Sequence, residues 1–314
     1  MLSSILLVIA GLVLLPLGAE GVVRGSTGLA LRVGVTPLVI GLTVVALGTS
    51  SPELVVAVEA AITGNSGIVL GNVIGSNIGN IGLILGVSAL VRPMAVRYEL
   101  VRREVPVMIA VSLVLVAMLL DERITRVEGA LLVLGAVAYI VVSYRQTRSA
   151  EDPSAAEEFQ GAIDRPLQQP LAEAAILMAG LGGLIVGANL LVRGAVAIAT
   201  TLGISPAVIG LTVVAIGTSL PELAAGVASS ARGEPDVAFG NVVGSNIFNV
   251  LVVLGVAALI KPVEIGGVRA LDVGLMFGAS VLILPLMWRG WVLSRWEGAL
   301  LLGGYVVYIA SLVA

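Results

Sequence analysis

Shifted by 169 residues, the sequence lies on itself. Residues 37–93 align with 206–262 without a gap, and 31 of those 57 positions are identical. GLTVVALGTSSPEL at 41–54 returns as GLTVVAIGTSLPEL at 210–223, and GNVIGSNIGN at 71–80 returns as GNVVGSNIFN at 240–249. The same offset pairs Gly18 with Gly187, Arg24 with Arg193, Glu128 with Glu297 and Tyr139 with Tyr308. The duplication therefore extends over each half of the chain. A sequence of this kind folds as two copies of one unit.

The units are apolar. Hydrophobic residues make up 58% of the 314 and charged residues 12%, with a mean hydropathy of +1.09. A soluble domain carries about 25% charged residues. Half that charge cannot cover a water-facing surface, which excludes a soluble enzyme, a disordered chain and a nucleic-acid binder. With 17 basic and 20 acidic residues, no polyanionic partner is indicated. The absence of Cys and His removes disulfides, thiol nucleophiles, imidazole or thiolate metal sites and haem ligation, and no cofactor is expected. The partner implied is the lipid bilayer; nothing in the sequence speaks to oligomeric state.

A spanning helix needs about 20 mostly apolar residues. Spans are predicted at 2–23, 36–62, 68–91, 104–120 and 124–144, then at 171–193, 205–231, 237–260, 270–288 and 292–313. The prediction is an all-α integral membrane protein of ten transmembrane helices. A first five-helix repeat (1–144) and a second (171–314) are joined by a polar linker at 145–170, RQTRSAEDPSAAEEFQGAIDRPLQQP in sequence. The first apolar run lacks a basic leader and has a counterpart in mid-chain, so it reads as a span rather than a signal peptide. Five is odd, so the second unit enters the membrane from the opposite side. The result is an inverted repeat, the architecture of secondary transporters. Twelve basic residues fall in loops after odd-numbered spans and five on the other side. This bias places the linker in the cytoplasm and both termini outside, in a cell (inner) membrane.

The best-preserved part of the repeat is polar. Glu53 and Glu222 lie midway through the second and seventh spans, where an ionisable group costs about 2.5–3.5 kcal/mol on translocon scales. Neither has a basic residue in its own span. Pro52 and Pro221 remove a donor and clash with the carbonyls of Gly48 and Gly217, four residues earlier. The helices are therefore expected to break there and to free carbonyls such as those of Ala46 and Ala215. Ala46, Thr49, Ser50 and Glu53 fall on one helical face, as do Ser76 and Asn80 in the next span. Thr218, Ser219, Ser245 and Asn249 are the second-half counterparts. Spans 3 and 8 are expected to be broken like 2 and 7, with glycines allowing close approach. An inventory of oxygen alone suits Ca²⁺, which takes six to eight such ligands, and Na⁺ accepts the same donors. Transition metals normally want imidazole or thiolate.

On these residues the sequence resembles the cation/calcium exchanger superfamily, and within it the prokaryotic sodium/calcium exchangers. The likeness rests on G-T-S-x-P-E and G-N-x-x-G-S-N-x-x-N, each present in both halves without a gap. The resemblance implies an antiporter that extrudes Ca²⁺ against entering Na⁺ by alternating access, with spans one and six sliding over a core of the other eight. It implies ion ligands at Thr49, Ser50, Glu53, Ser76, Thr218, Ser219, Glu222 and Ser245 and at the carbonyls of Ala46 and Ala215, with Asn80 and Asn249 in the last motif position. Some exchangers carry Asp at one of those two positions. Asn at both leaves the driving ion open among Na⁺, K⁺ and H⁺.

Other acidic residues read as structural. Glu20 is expected at a helix end near Arg24, Glu59 at a solvated helix end, and Glu128 and Glu297 at helix N-termini, where the dipole favours them. The competing function from another class is a passive cation channel, against which the inverted repeat argues. An intramembrane enzyme would need an acid–base pair beyond two symmetric glutamates.

Overall fold

The structure, a computed structural model, describes residues 2–32, 46–149, 169–233, 235–288 and 290–313. Its first half runs α1 (Leu2–Arg32), α2 (Ala46–Thr49), α3 (Ser51–Thr63), α4 (Ser66–Val91), β1 (Met94–Ala95), α5 (Tyr98–Met118), β2 (Arg123–Ile124) and α6 (Arg126–Ser149). The second runs α7 (Pro170–Leu202), α8 (Pro206–Thr218), α9 (Leu220–Arg232), α10 (Pro235–Ile260), β3 (Val263–Glu264), α11 (Ala270–Met287), β4 (Val292–Leu293) and α12 (Arg295–Val313). Among the described residues seven helices are long and apolar enough to cross a membrane, and the bent pair α8–α9 makes an eighth. The start of the predicted second span, 36–45, and most of the predicted linker, 150–168, lie outside the described residues.

The two-residue strands carry the repeat symmetry. β1 pairs antiparallel with β4, Met94 opposite Leu293, and β2 pairs antiparallel with β3, Ile124 opposite Val263. The offset of 169 maps β1 onto β3 and β2 onto β4. Each pairing is thus the two-fold image of the other, and each stitches one half to the other. The left-handed helix ends obey the same relation. Gly64 (φ 80°) closes α3 and Gly233 (φ 83°) closes α9, a backbone turn that glycine adopts without steric cost.

Helices α4 and α10 form the centre. Over their spans α4 is 94% and α10 72% enclosed by the rest of the protein, which shields the polar side chains they carry from lipid. Small residues make this possible. A Cβ on Gly71 would stand 2.6 Å from the Ala207 carbonyl oxygen, and one on Gly75 would stand 2.8 Å from that of Leu211, so α4 meets the backbone of α8 directly. Helices α1 and α7 form an antiparallel pair. Gly11, Gly18 and Gly25 recur every seven residues, and a Cβ on any of them would lie 2.7–2.8 Å from α7 backbone. Leu2, Leu6, Ile9, Val13 and Leu17 on the other face of α1 are exposed, as lipid contact requires.

Four helix limits differ from the sequence expectation. Helix α1 continues to Arg32 rather than ending at 23: Glu20 and Arg24 pair across one turn (2.7 Å), and Gly25 and Gly28 in the extension seat it closely against α7. Helix α7 continues to Leu202, where Gly203 caps it. Helix α5 begins at Tyr98 rather than 104, and its first turn carries exposed Arg102 and Arg103. Helix α6 runs on to Ser149, through polar residues that contain neither Pro nor Gly.

Backbone contact between α4 and α12 gives a test of the packing. A Cβ on Gly86 would lie 3.0 Å from both the Gly298 oxygen and the Leu302 nitrogen, whereas one on Gly303 meets nothing within 4 Å. Gly86→Val should cost about 1–3 kcal/mol through overpacking and lower the melting temperature of the purified protein. Gly303→Val should leave it near wild type. Equal melting temperatures for the two variants would show that the helices do not meet as described.

Candidate functional site

The site is built where two bent segments cross two central helices. In the second half, α8 ends at Thr218, Ser219 turns (φ −85°, ψ 9°), and α9 starts at Leu220 with Pro221 in its first turn; the axes differ by 46°. In the first half α2 ends at Thr49, Ser50 turns, and α3 starts at Ser51 with Pro52 in its first turn. The Ser51 hydroxyl donates to the Gly48 carbonyl, the oxygen that Pro52 leaves without its helical donor. The Ala215 carbonyl is not freed as the sequence suggested. It accepts from Ser219 N–H at 3.1 Å and from the Thr218 hydroxyl at 3.3 Å. The side chain of Ala46 lies outside the described residues.

The third and eighth predicted spans, α4 and α10, are wound without interruption. Their irregularity is a π turn at Asn80–Leu85 in α4 and at Asn249–Leu254 in α10. Such turns are common at functional sites, and each begins at the last Asn of the repeated motif.

The polar side chains meet across the two-fold. Ser219 Oγ donates to Glu53 Oε1 at 2.9 Å, and Ser50 Oγ donates to Glu222 Oε1 at 3.1 Å. Ser219 also lies 3.2 Å from Ser76, and Ser50 lies 3.2 Å from Ser245. Each carboxylate thus takes a hydroxyl from the opposite repeat, and Glu53 Oε1 also receives Ser76 Oγ of its own half at 3.5 Å. Thr218 Oγ1 donates to Asn72 Oδ1 at 3.2 Å, and Thr49 Oγ1 donates to Asn241 Oδ1 at 3.4 Å. Asn80 Nδ2 donates to Asn246 Oδ1 at 2.9 Å, and Asn249 Nδ2 donates to Asn77 Oδ1 at 3.0 Å. Every one of these contacts between the halves maps onto its partner by the 169-residue offset.

Glu53 and Glu222 are each 1% exposed, and among the described residues no basic side chain pairs with either. Glu53 Oε2, Glu222 Oε2, Asn80 Oδ1 and Asn249 Oδ1 are buried acceptors that receive no hydrogen bond from the described residues. Buried polar atoms are normally satisfied. Four unsatisfied acceptors in two symmetric pairs, two of them on carboxylates, match a bound cation. Among the described residues no group of three or more His, Cys, Asp or Glu could hold a metal, so any such ion would rely on neutral oxygens beside the two charges.

Ten of the twelve residues singled out in the sequence thus take part in hydrogen bonds that are mirrored between the halves: Thr49, Ser50, Glu53, Ser76 and Asn80 with Thr218, Ser219, Glu222, Ser245 and Asn249. Ala215 contributes a carbonyl that is already bonded. Four asparagines were missed as individual residues: Asn72, Asn77, Asn241 and Asn246. The signal was their identity in both halves of the repeated motif.

Residues outside this network have their own partners. Glu59 accepts from Asn189 Nδ2 at 2.8 Å and so ties α3 to α7, rather than facing solvent alone. Arg97 donates its backbone N–H to Asp236 at 2.9 Å, with its guanidinium on the same carboxylate. It is thus a tether as well as a topology charge. Glu128 and Glu297 accept from Thr125 and Ser294 at the starts of α6 and α12, the structural role expected of them.

Comparison with known proteins agrees with this architecture. The family model for the sodium/calcium exchanger protein matches residues 3–145 and 173–314. The sodium/calcium exchanger MaX1 of Methanosarcina acetivorans is 32% identical over 351 residues, covering 98% of both chains. The inner membrane protein YrbG of Escherichia coli is 39% identical over 319 residues, covering 99% of this chain and 97% of that one. A solved structure of the sodium-calcium exchanger NCX_Mj superposes with a TM-score of 0.68 at 31% identity, covering 98% of each chain. The chain belongs to the sodium/calcium exchanger family and is a membrane antiporter of that family.

Proposed function

We propose that this antiporter exchanges Ca²⁺ for Na⁺ across the cell membrane, with the ions held between the two repeats. The observation that carries the reading is the set of four unsatisfied buried acceptors on Glu53, Glu222, Asn80 and Asn249. Two carboxylates neutralise one Ca²⁺, and the neutral oxygens around them bring the count toward the six to eight that Ca²⁺ takes. The proposed ligands are Thr49, Ser50, Glu53, Ser76 and Asn80 with Thr218, Ser219, Glu222, Ser245 and Asn249, together with the carbonyl of Ala46; the Ala215 carbonyl already accepts two hydrogen bonds and is left out. A hydroxyl that donates its proton to a carboxylate keeps its lone pairs for a cation, so the bonds described above are compatible with ligation. Na⁺ uses the same oxygens, which is how one site serves both ions in turn.

In this reading residues 1–144 and 171–314 are two inverted five-helix repeats with ten spans in all. The segment 145–170 is a cytoplasmic linker and both termini are outside. Helices α1 and α7 move together against the remaining helices to expose the site alternately to each side. Their glycine-lined antiparallel contact supports their moving as a pair. The bends at Ser50 and Ser219 put the carboxylates at the start of α3 and α9. There backbone N–H groups and the helix dipole stabilise negative charge whenever the cation is absent.

The direct test is ⁴⁵Ca²⁺ uptake into proteoliposomes, with Na⁺, K⁺ and pH gradients imposed one at a time. An outward Na⁺ gradient alone should drive uptake. Glu53→Gln and Glu222→Gln should each reduce it to the level of protein-free liposomes while leaving the purified protein folded. Uptake driven by K⁺ or protons without Na⁺ would replace the coupling ion, and wild-type uptake in either Gln variant would remove these carboxylates from the ion path. Orientation has its own test, because the wild-type chain has no Cys. Ser154→Cys should react with an impermeant maleimide only after the cytoplasmic face is opened. Labelling of intact cells would reverse the topology.

A further inference from the structure

Asn77 and Asn246 stand behind the site rather than in it, and each is 1% exposed. Their side-chain amides have fixed orientations. Asn77 Nδ2 donates to the Asn246 backbone carbonyl at 3.3 Å and approaches Met276 Sδ at 3.9 Å. Asn246 Nδ2 donates to Met108 Sδ at 3.4 Å. A backbone carbonyl and a thioether accept protons and have none to give. Turning either amide over would set oxygen against oxygen, or oxygen against sulfur. The oxygens of Asn77 and Asn246 must therefore face the other way, toward Asn249 and Asn80.

That constraint passes to the next residue. An oxygen at Asn246 Oδ1 accepts only a donor, so Asn80 presents its nitrogen there, at 2.9 Å. Asn77 Oδ1 holds the nitrogen of Asn249 in the same way at 3.0 Å. The remaining atoms, Asn80 Oδ1 and Asn249 Oδ1, are the ones buried without a protein donor. Two copies of one relay, related by the two-fold, reach the same outcome.

We propose that Asn77 and Asn246 are positioning residues that decide which atom Asn249 and Asn80 offer to the cation. They turn two amides so that oxygen, not N–H, faces it. Without them each amide could rotate and present N–H groups to a positive ion. The relay crosses between halves, Asn246 acting on Asn80 and Asn77 on Asn249. This inference rests on the reading of Glu53, Glu222, Asn80 and Asn249 as the ion site.

The test is a set of double-mutant cycles on Ca²⁺ affinity. Affinity is read from the Ca²⁺-dependent rise in melting temperature of the purified full chain, carried to concentrations where weak binding still registers. Asn246→Ala should weaken Ca²⁺ binding about 10–100-fold, the usual effect of losing a partner that orients a metal ligand. The double variant with Asn80→Ala should bind no more weakly than Asn80→Ala alone, because the relay then has nothing to orient. Combined with Asn249→Ala, the two losses should multiply, since those residues belong to different relays. Asn246→Ala binding Ca²⁺ like wild type, or multiplying its loss with that of Asn80→Ala, would overturn the proposal. If Asn246→Ala does not fold, the same cycle on Asn77 with Asn249 carries the test. Glu53→Gln and Asn80→Ala are measured alongside. If both bind Ca²⁺ like wild type, the ion-site reading has failed. If both lose affinity while the cycles multiply, only the relay has failed.

Discussion

Two carboxylates buried inside an apolar chain, with no basic side chain beside them among the described residues, set the terms for the rest of this structure. An isolated buried charge is expensive enough that proteins pair it, neutralise it or give it a metal. Here the protein supplies only part of the compensation. Ser219 donates to Glu53 and Ser50 to Glu222, each across the boundary between repeats. The duplication therefore brings polar side chains of both halves into mutual contact rather than leaving them apart. On the two-fold itself, Ser112 and Ser280 meet at 3.3 Å.

The packing follows from that requirement. Polar helices at the centre must be walled off from lipid, so α4 and α10 are enclosed by the others and approach their neighbours through glycine. Gly71 and Gly75 let α4 touch the α8 backbone, while Gly86 and Gly129 let α4 and α6 meet α12 and α10. The β1–β4 and β2–β3 pairings fix the loop ends in the same two-fold frame. The frame is broken at a few places. Glu59 bonds to Asn189, whereas their counterparts are Ala228 and Glu20, and Glu20 pairs instead with Arg24 on its own helix. Such departures make the two halves of the duplication inequivalent. With perfect symmetry the two faces would be equivalent.

The sequence made the site legible because the repeat acted as a filter. Glu53 and Glu222 stood out as carboxylates shared by both halves midway through apolar spans, and Pro52 and Pro221 marked where the helix must turn. The second row of asparagines was not legible. Asn72, Asn77, Asn241 and Asn246 sit in the same motif, but spacing along one helix does not reveal hydrogen bonds that cross to another. The pairing of Tyr139 with Glu104 at 2.7 Å escaped for the same reason, since it joins α6 to α5 over 35 residues. Helix ends were read short because hydropathy marks where a chain leaves the hydrocarbon, not where its helix stops. The Ala215 carbonyl is not freed because Pro221 removes the donor for Gly217 alone, and Ala215 keeps its ordinary helical donor, the Ser219 N–H.

The central claim is that Glu53 and Glu222 share one cation. Titration calorimetry of the purified chain with Ca²⁺, in Na⁺-free buffer, tests it directly. One Ca²⁺ should bind per chain in the wild type, and either Glu53→Gln or Glu222→Gln alone should abolish that binding. Two Ca²⁺ per wild-type chain, with one retained in each single variant, would mean two independent half-sites and would contradict the account.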